Sequence, residues 1–120
     1  MELKHELVRE IMLYLEENLK FNQTIFSNAI KIPEYTSEEI TYTVKKLYEA
    51  GYLNCTLIKA NMTIPIKEIT WNGHCFLDNI RDDNVWNHTK QKISKLASIS
   101  LPIISQVAAS YIQMQLGISS

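Results

Sequence analysis

The chain has none of the short motifs that carry common chemistry. There is no G-x-S-x-G nucleophile turn, no P-loop, no H-E-x-x-H helix and no glycine-rich dinucleotide fingerprint. An enzyme is therefore not expected, and neither is a cofactor. Cysteine is scarce. Cys55 and Cys75 form no C-x-x-C and no disulfide framework, which fits a reducing cytoplasm. An excess of one charge is missing too: 12 basic residues face 13 acidic ones, for a net charge of −1. No strong overall field draws in nucleic acid or an acidic membrane, though a local basic patch is compatible with that balance. The opening residues MELKHELVREIM carry charges where a secretion signal needs an apolar run, so a cytoplasmic location is expected. On that basis the N-x-T sequences at Asn22, Asn54, Asn61 and Asn87 are coincidental.

Metal ligands are as sparse as catalytic motifs. Cys55, His74, Cys75 and His88 are the candidates, but adjacent side chains such as His74 and Cys75 diverge by about 100° on a helix. With no spaced ligand pair, no metal site is expected. The Asp82-Asp83 pair reads more simply as a helix cap than as paired catalytic carboxylates.

What the chain does have is apolar material: 46% of its 120 residues, enough for one domain with a real core. Its richness in Ile, Asn and Lys looks like AT-rich coding, as in a low-GC bacterium or its phage. Residues 2 to 20 read as an amphipathic helix, with Leu3, Leu7, Ile11, Leu15 and Leu19 in one i,i+4 row. "TIFSNAIKI" (24 to 32) is β-branched enough for a short strand, ended by Pro33. "YTSEEITYTVKKLYEAGYL" predicts a second helix. Thr36 and Glu39 are placed for a capping box, Ile40, Val44, Leu47 and Tyr48 face inward, and Gly51 sits where a helix ends.

"YLNCTLIK" and "TIPIKEIT" then read as two strands around a polar tip at Ala60-Asn61. Pro65 donates no ladder bond, so its strand is expected at an edge or bulged. Thr70 starts a short helix that buries Phe76, Leu77 and Ile80. Asp82 or Asp83 caps another, running through Trp86, Ile93 and Leu96. Ser98 or Ser100, with Pro102 in the first turn, opens a last helix to about Leu116. The expected fold is α+β and winged-helix-like: helix, short strand, helix, β-hairpin wing and helix, with two additional C-terminal helices. Residues 1–97 form the winged-helix-like domain, and 98–120 an apolar helix that packs on it or on a partner. The 15 residues from Phe21 to Tyr35 leave little room for both a strand and a full positioning helix. Whether the helix-turn-helix is complete stays open.

"YTSEEITYTVKKLYEAGYL" followed by "ITWNGHCFLDNIRDDNVW" resembles a family of uncharacterised, often prophage-associated bacterial proteins, the YjcQ-like proteins. The resemblance rests on Tyr35, Glu38, Glu39, Ile40, Tyr42, Leu47, Glu49, Ala50 and Gly51 in the first stretch. In the second it rests on Thr70, Trp71, Gly73, His74, Phe76, Leu77, Asp78, Ile80, Arg81, Asp82 and Trp86. It implies a winged-helix-like fold and no established activity. Thr43 stands where a histidine is expected and Cys75 where an acidic residue is. The residues themselves read first as scaffold: Thr70 as a cap, Gly73 as room for a close approach to the wing, Asp78 and Arg81 as an i,i+3 pair. The functional alternative is a docking surface of Trp71 and Trp86 around Arg81.

Two partner classes follow. By analogy with winged helices, the helix from Ser37 to Ala50 enters a DNA groove. Thr41, Tyr42, Lys45 and Lys46 would contact DNA, with Lys59 and Lys67 on the hairpin. Its acidic residues oppose those lysines, however, and the same fold also serves protein adaptors. The expectation is thus a non-enzymatic small binding protein of phage or prophage type. DNA-linked regulation comes first, with a protein-directed adaptor or inhibitor of a host system as the alternative. From Leu96 to Ser120 no residue is charged. Ile103, Val107, Tyr111 and Met114 are expected on a surface that closes through another chain, most simply a second copy. Gln106, Gln113 and Gln115, and a length of about 15 helical residues, argue against a membrane span.

Overall fold

The computed structural model of the chain describes residues 1–56 and 63–117. Its architecture is α+β: among those residues it forms five α-helices and a three-stranded antiparallel sheet. The order is α1 (His5–Asn18), β1 (Ile25–Phe26), a 3-10 turn (Ser27–Ala29), α2 (Ser37–Glu49), β2 (Leu53–Cys55), β3 (Pro65–Ile69), α3 (Trp71–Ile80), α4 (Asp83–Ile93) and α5 (Leu101–Gln115). The chain divides into two compact units, Met1–His74 and Cys75–Ser120, with the division inside α3. The expected hairpin tip at Ala60-Asn61, with Lys59, lies outside the described residues.

In the first unit, α1 buries Leu7, Ile11 and Leu15 of the expected row, with Val8 and Met12 beside them, and packs on α2 and β3. Leu3 and Leu19 lie beyond the ends of the helix, which is shorter than the expected 2–20, and are half-buried. Both ends of α2 are set by local chemistry. Thr36 Oγ1 accepts from Glu39 N at 3.1 Å while Glu39 Oε1 accepts from Thr36 N at 3.0 Å, closing the capping box. The other oxygen of Glu39 accepts from Lys4 Nζ at 2.7 Å, so one carboxylate holds the start of α2 to the residue before α1. At the far end Gly51 adopts φ +84°. Its N–H reaches Tyr48 O at 3.0 Å and Tyr52 N reaches Leu47 O at 2.9 Å, the paired bonds of a Schellman ending.

The sheet order is β1-β3-β2, and it corrects two expectations. The strand expected over 24–32 is two residues long. Ser27 is fully buried; its N–H donates to Ile64 O at 2.9 Å and its hydroxyl accepts from Ile64 N at 2.9 Å. Those bonds turn the chain into the 3-10 segment and point Ile30 into the core. The propensity of the residues is overridden by a partner 37 positions away. Pro65, expected at an edge, begins the central strand. At the first position a strand tolerates a missing N–H, and the Pro65 carbonyl still accepts from Thr56 N at 3.0 Å. The expected irregularity lies further on: Asn54 pairs with Glu68 but Cys55 with Ile66, leaving Lys67 as the extra residue of a bulge.

α3 starts where Thr70 was expected to cap it. Thr70 Oγ1 accepts from Gly73 N at 3.0 Å and donates to Gly51 O, while Thr70 N donates to Tyr52 O at 3.1 Å. A Cβ on Gly73 would lie 2.1 Å from Tyr52 O and 2.8 Å from Ile69 Cγ2, so only glycine fits.

In the second unit Phe76, Leu77, Ile80, Val85 and Trp86 are buried, and α4 packs on α5. Asp82 is the cap of α4, accepting from Val85 N at 3.0 Å. The helix stops at Ile93, short of the expected Leu96, which is exposed. Ser94 turns its hydroxyl back onto Gln91 O at 2.8 Å, satisfying a terminal carbonyl. α5 follows Ser100, with Pro102 in its first turn.

Two predictions test this scheme. By urea unfolding, Gly73→Ala should lose about 1–3 kcal/mol or more through overlap, and Gly51→Ala about 1–2 kcal/mol through its left-handed backbone. Gly51→Asn should recover part of the second loss. The Lys4–Glu39 pair should show in the pH dependence. Its hydrogen bond with Lys4 holds the Glu39 carboxyl below the usual carboxylate range and holds Lys4 above the usual amine range. The Glu39 contribution is therefore present above its unfolded pKa and lost as pH falls through its lower folded value. The Lys4 contribution is present below its unfolded pKa and lost as pH rises through its higher folded value. Melting curves of Glu39→Gln should separate from wild type at neutral pH and converge in acid.

Candidate functional site

The stretch from Ile69 to Trp86 sorts its two tryptophans oppositely. Trp71, at the first position of α3, is 82% exposed, whereas Trp86 is 3% exposed on the inner side of α4. The expected docking surface of two tryptophans around an arginine thus loses Trp86 to packing. Arg81 is half-buried and donates to Asp78 Oδ1 at 2.7 Å, the i,i+3 pair that the spacing predicts.

The residues expected to meet DNA are only partly available. Thr41, expected to point outward, is half-buried, with its hydroxyl 2.8 Å from that of Ser27. Tyr42 is half-buried too, with Lys46 Nζ 5.4 Å from its ring centroid. Lys46 also bonds Glu49 Oε1 at 2.9 Å, and that bond raises the lysine pKa and lowers the glutamate's. Lys45 is exposed. Lys67, carried on the bulge of β3, is exposed and donates to Thr24 Oγ1 at 3.2 Å. Lys59 lies outside the described residues.

Sequence reasoning missed a groove of about 490 Å³ in the first unit, within the size range of binding clefts. Leu15, Leu19 and Ile69 give it apolar walls, with Lys67 and His74 among its polar residues. Phe21 lines it as well and is 89% exposed. The chain leaves α1 through Asn22 at φ +62°, a conformation asparagine tolerates better than most residues. Trp71 stands one helical turn before His74 on α3. The available signal was Phe21 itself, an aromatic placed after the helix stops and before a polar turn.

The C-terminal residues form another surface. On α5, Leu101, Ile104 and Ala108 are buried, Val107 and Tyr111 half-buried, and Ile103 and Met114 exposed. Tyr111 stacks on His88 with ring centroids 4.0 Å apart and 21° between planes. Two of the expected four are therefore open to solvent and two partly covered. Among the described residues no helix is long and apolar enough to cross a membrane.

The four candidate metal ligands divide by environment. Cys55 is buried and Cys75 exposed; His74 is exposed and His88 lies in the tyrosine stack. No group of three His, Cys, Asp or Glu among the described residues is placed to hold a metal ion.

A family model described as hypothetical protein (DUF2513) matches residues 2–100. The chain belongs to that family. It is also similar to an uncharacterised protein of Haemophilus influenzae (strain Rd), 33% identical over 114 residues, which cover 92% of this chain and 95% of that protein. No solved structure matches.

The two cysteines should differ in reactivity. Burial pushes the Cys55 thiol up to about 11, so its thiolate, the reactive form, is scarce at neutral pH. Iodoacetamide at pH 8 should modify Cys75 and leave Cys55 at least about tenfold slower. In urea both should react. Mass spectrometry of peptides reads the two sites separately.

Proposed function

We propose that this protein is a non-enzymatic binding module of phage or prophage type, built on a winged-helix-like scaffold, whose partner is a protein. The scaffold reading is supported by the sheet order β1-β3-β2 behind α1 and by α2 leading directly into β2. In this reading the three-residue 3-10 turn stands where a winged helix has its positioning helix. The observation that carries the protein-directed reading is a pair of large exposed aromatics, Phe21 on the lining of the groove and Trp71 at the start of α3. Large exposed aromatics are the residue class that supplies binding hot spots. The partner is a host or phage protein that this module engages as an adaptor or inhibitor. A second copy engages the outer face of α5, so that the protein self-associates.

DNA-linked regulation is the second reading, favoured by the same element order. Its electrostatics are weak. On α2, Lys46 is paired with Glu49 and Thr41 is turned onto Ser27, while phosphate contacts supply most of the affinity of DNA-binding proteins.

The two readings separate in one set of measurements. A capture from host lysate should retain a protein partner with wild type. Phe21→Ala and Trp71→Ala should each weaken it by about thirtyfold if either is a hot spot. Gel shifts with genomic fragments at two salt concentrations should show no specific complex. A salt-sensitive specific complex, abolished by Lys45→Glu with Lys59→Glu and Lys67→Glu, would establish the DNA reading in its place.

A further inference from the structure

We infer that α5 pairs with α5 of a second copy of this chain in an antiparallel, two-fold orientation. This rests on the self-association reading above and adds the geometry. Ile103, Val107, Ser110 and Met114 follow one another at spacings of four, three and four residues. That alternation keeps a seam on one side of a helix, and at 100° per residue the four fall within an arc of about 60°. Ile103, Ser110 and Met114 are exposed and Val107 half-buried, whereas Leu101, Ile104 and Ala108 occupy the opposite, buried side. The helix thus has an inner face already used and an outer seam that is apolar except for one small serine.

The spacing decides the orientation, because four-three-four reads the same from either end. Turned end for end about an axis through the middle of the seam, a second helix sets Ile103 against the partner's Met114. Val107 then faces the partner's Ser110, a branched side chain beside a small one. A parallel pair would instead set serine against serine at the centre, leaving a gap and two hydroxyls in an apolar seam. An isologous contact brings each surface against itself, which penalises any charge on it. None is present from Leu96 onward. The flanking residues Gln106 and Gln113 carry amides that both donate and accept, so they are compatible with their own copies. The helix ends favour the same arrangement, since an antiparallel pair lays each partially positive N-terminus beside a partially negative C-terminus.

The test uses the full chain. Sedimentation equilibrium over roughly 10–300 μM should show a monomer–dimer equilibrium. Val107→Glu should weaken it at least tenfold, about the effect of a buried unpaired charge, with the helical content and cooperative melting retained. In a Cys75→Ser background, Ile103→Cys and Met114→Cys are made separately and mixed under mild oxidation. Both substitutions are on exposed positions, so the core is untouched. The antiparallel seam gives mixed disulfides between the two variants in excess over either self-pair. A wild-type monomer across the range, or a dimer unaffected by Val107→Glu, overturns self-association through this helix. A Val107-sensitive dimer whose disulfides are mainly self-pairs keeps the association and overturns the orientation.

Discussion

The close approach of Gly73 to the Tyr52 carbonyl is the constraint around which the first unit is arranged. That carbonyl accepts from Thr70 N, and the Tyr52 N–H is committed to Leu47 O at the end of α2. Thr70 meanwhile spans the gap with its hydroxyl, accepting from Gly73 and donating to Gly51. Two short stretches, Gly51-Tyr52 and Thr70–Gly73, therefore fix the exit from α2, the start of β2 and the first turn of α3 together. None of these groups is chemically unusual. Their effect comes from proximity: a methyl group on Gly73 would occupy space the carbonyl already fills, so the backbone could not keep this set of bonds. The density of special residues in the stretch around Trp71 is explained first by this junction.

Elements fixed by neighbours in the chain were legible in the sequence. The capping box at Thr36 and Glu39, the glycine ending at Gly51, the Asp82 cap and the inward row of α1 each depend on residues within a turn or two of one another. The misreadings involve long-range partners. Nothing local in "TIFSNAIKI" announces that Ser27 bonds Ile64 and Thr41, yet the first bond shortens the strand and the second holds Thr41 half-buried. Pro65 was read by its own chemistry alone, without the neighbouring strands that make its position central. The tryptophans show the same limit: composition says two large aromatics lie near each other in sequence, but helix phase and packing decide that one is buried and the other is not. The candidate site was legible only as residue types, and the groove beside Phe21 not at all. Its walls come from α1, β3 and α3 together.

The charge distribution has a comparable logic. Ion pairs hold structural positions: Glu39 and Lys4 join two helix starts, Lys46 and Glu49 lie along α2, and Arg81 closes on Asp78 at the end of α3. Exposed pairs of this kind contribute modestly to stability. On α2 the Lys46–Glu49 pair reduces the net field of the exposed face.

The sheet has a further consequence. Within the described residues its outer strands are two and three residues long, and the inner strand carries a bulge facing β2. Among the described residues, borders this short offer few aligned backbone donors and acceptors, so they are poor templates for a foreign strand. Along those stretches, contacts with another chain would run through side chains rather than by sheet extension.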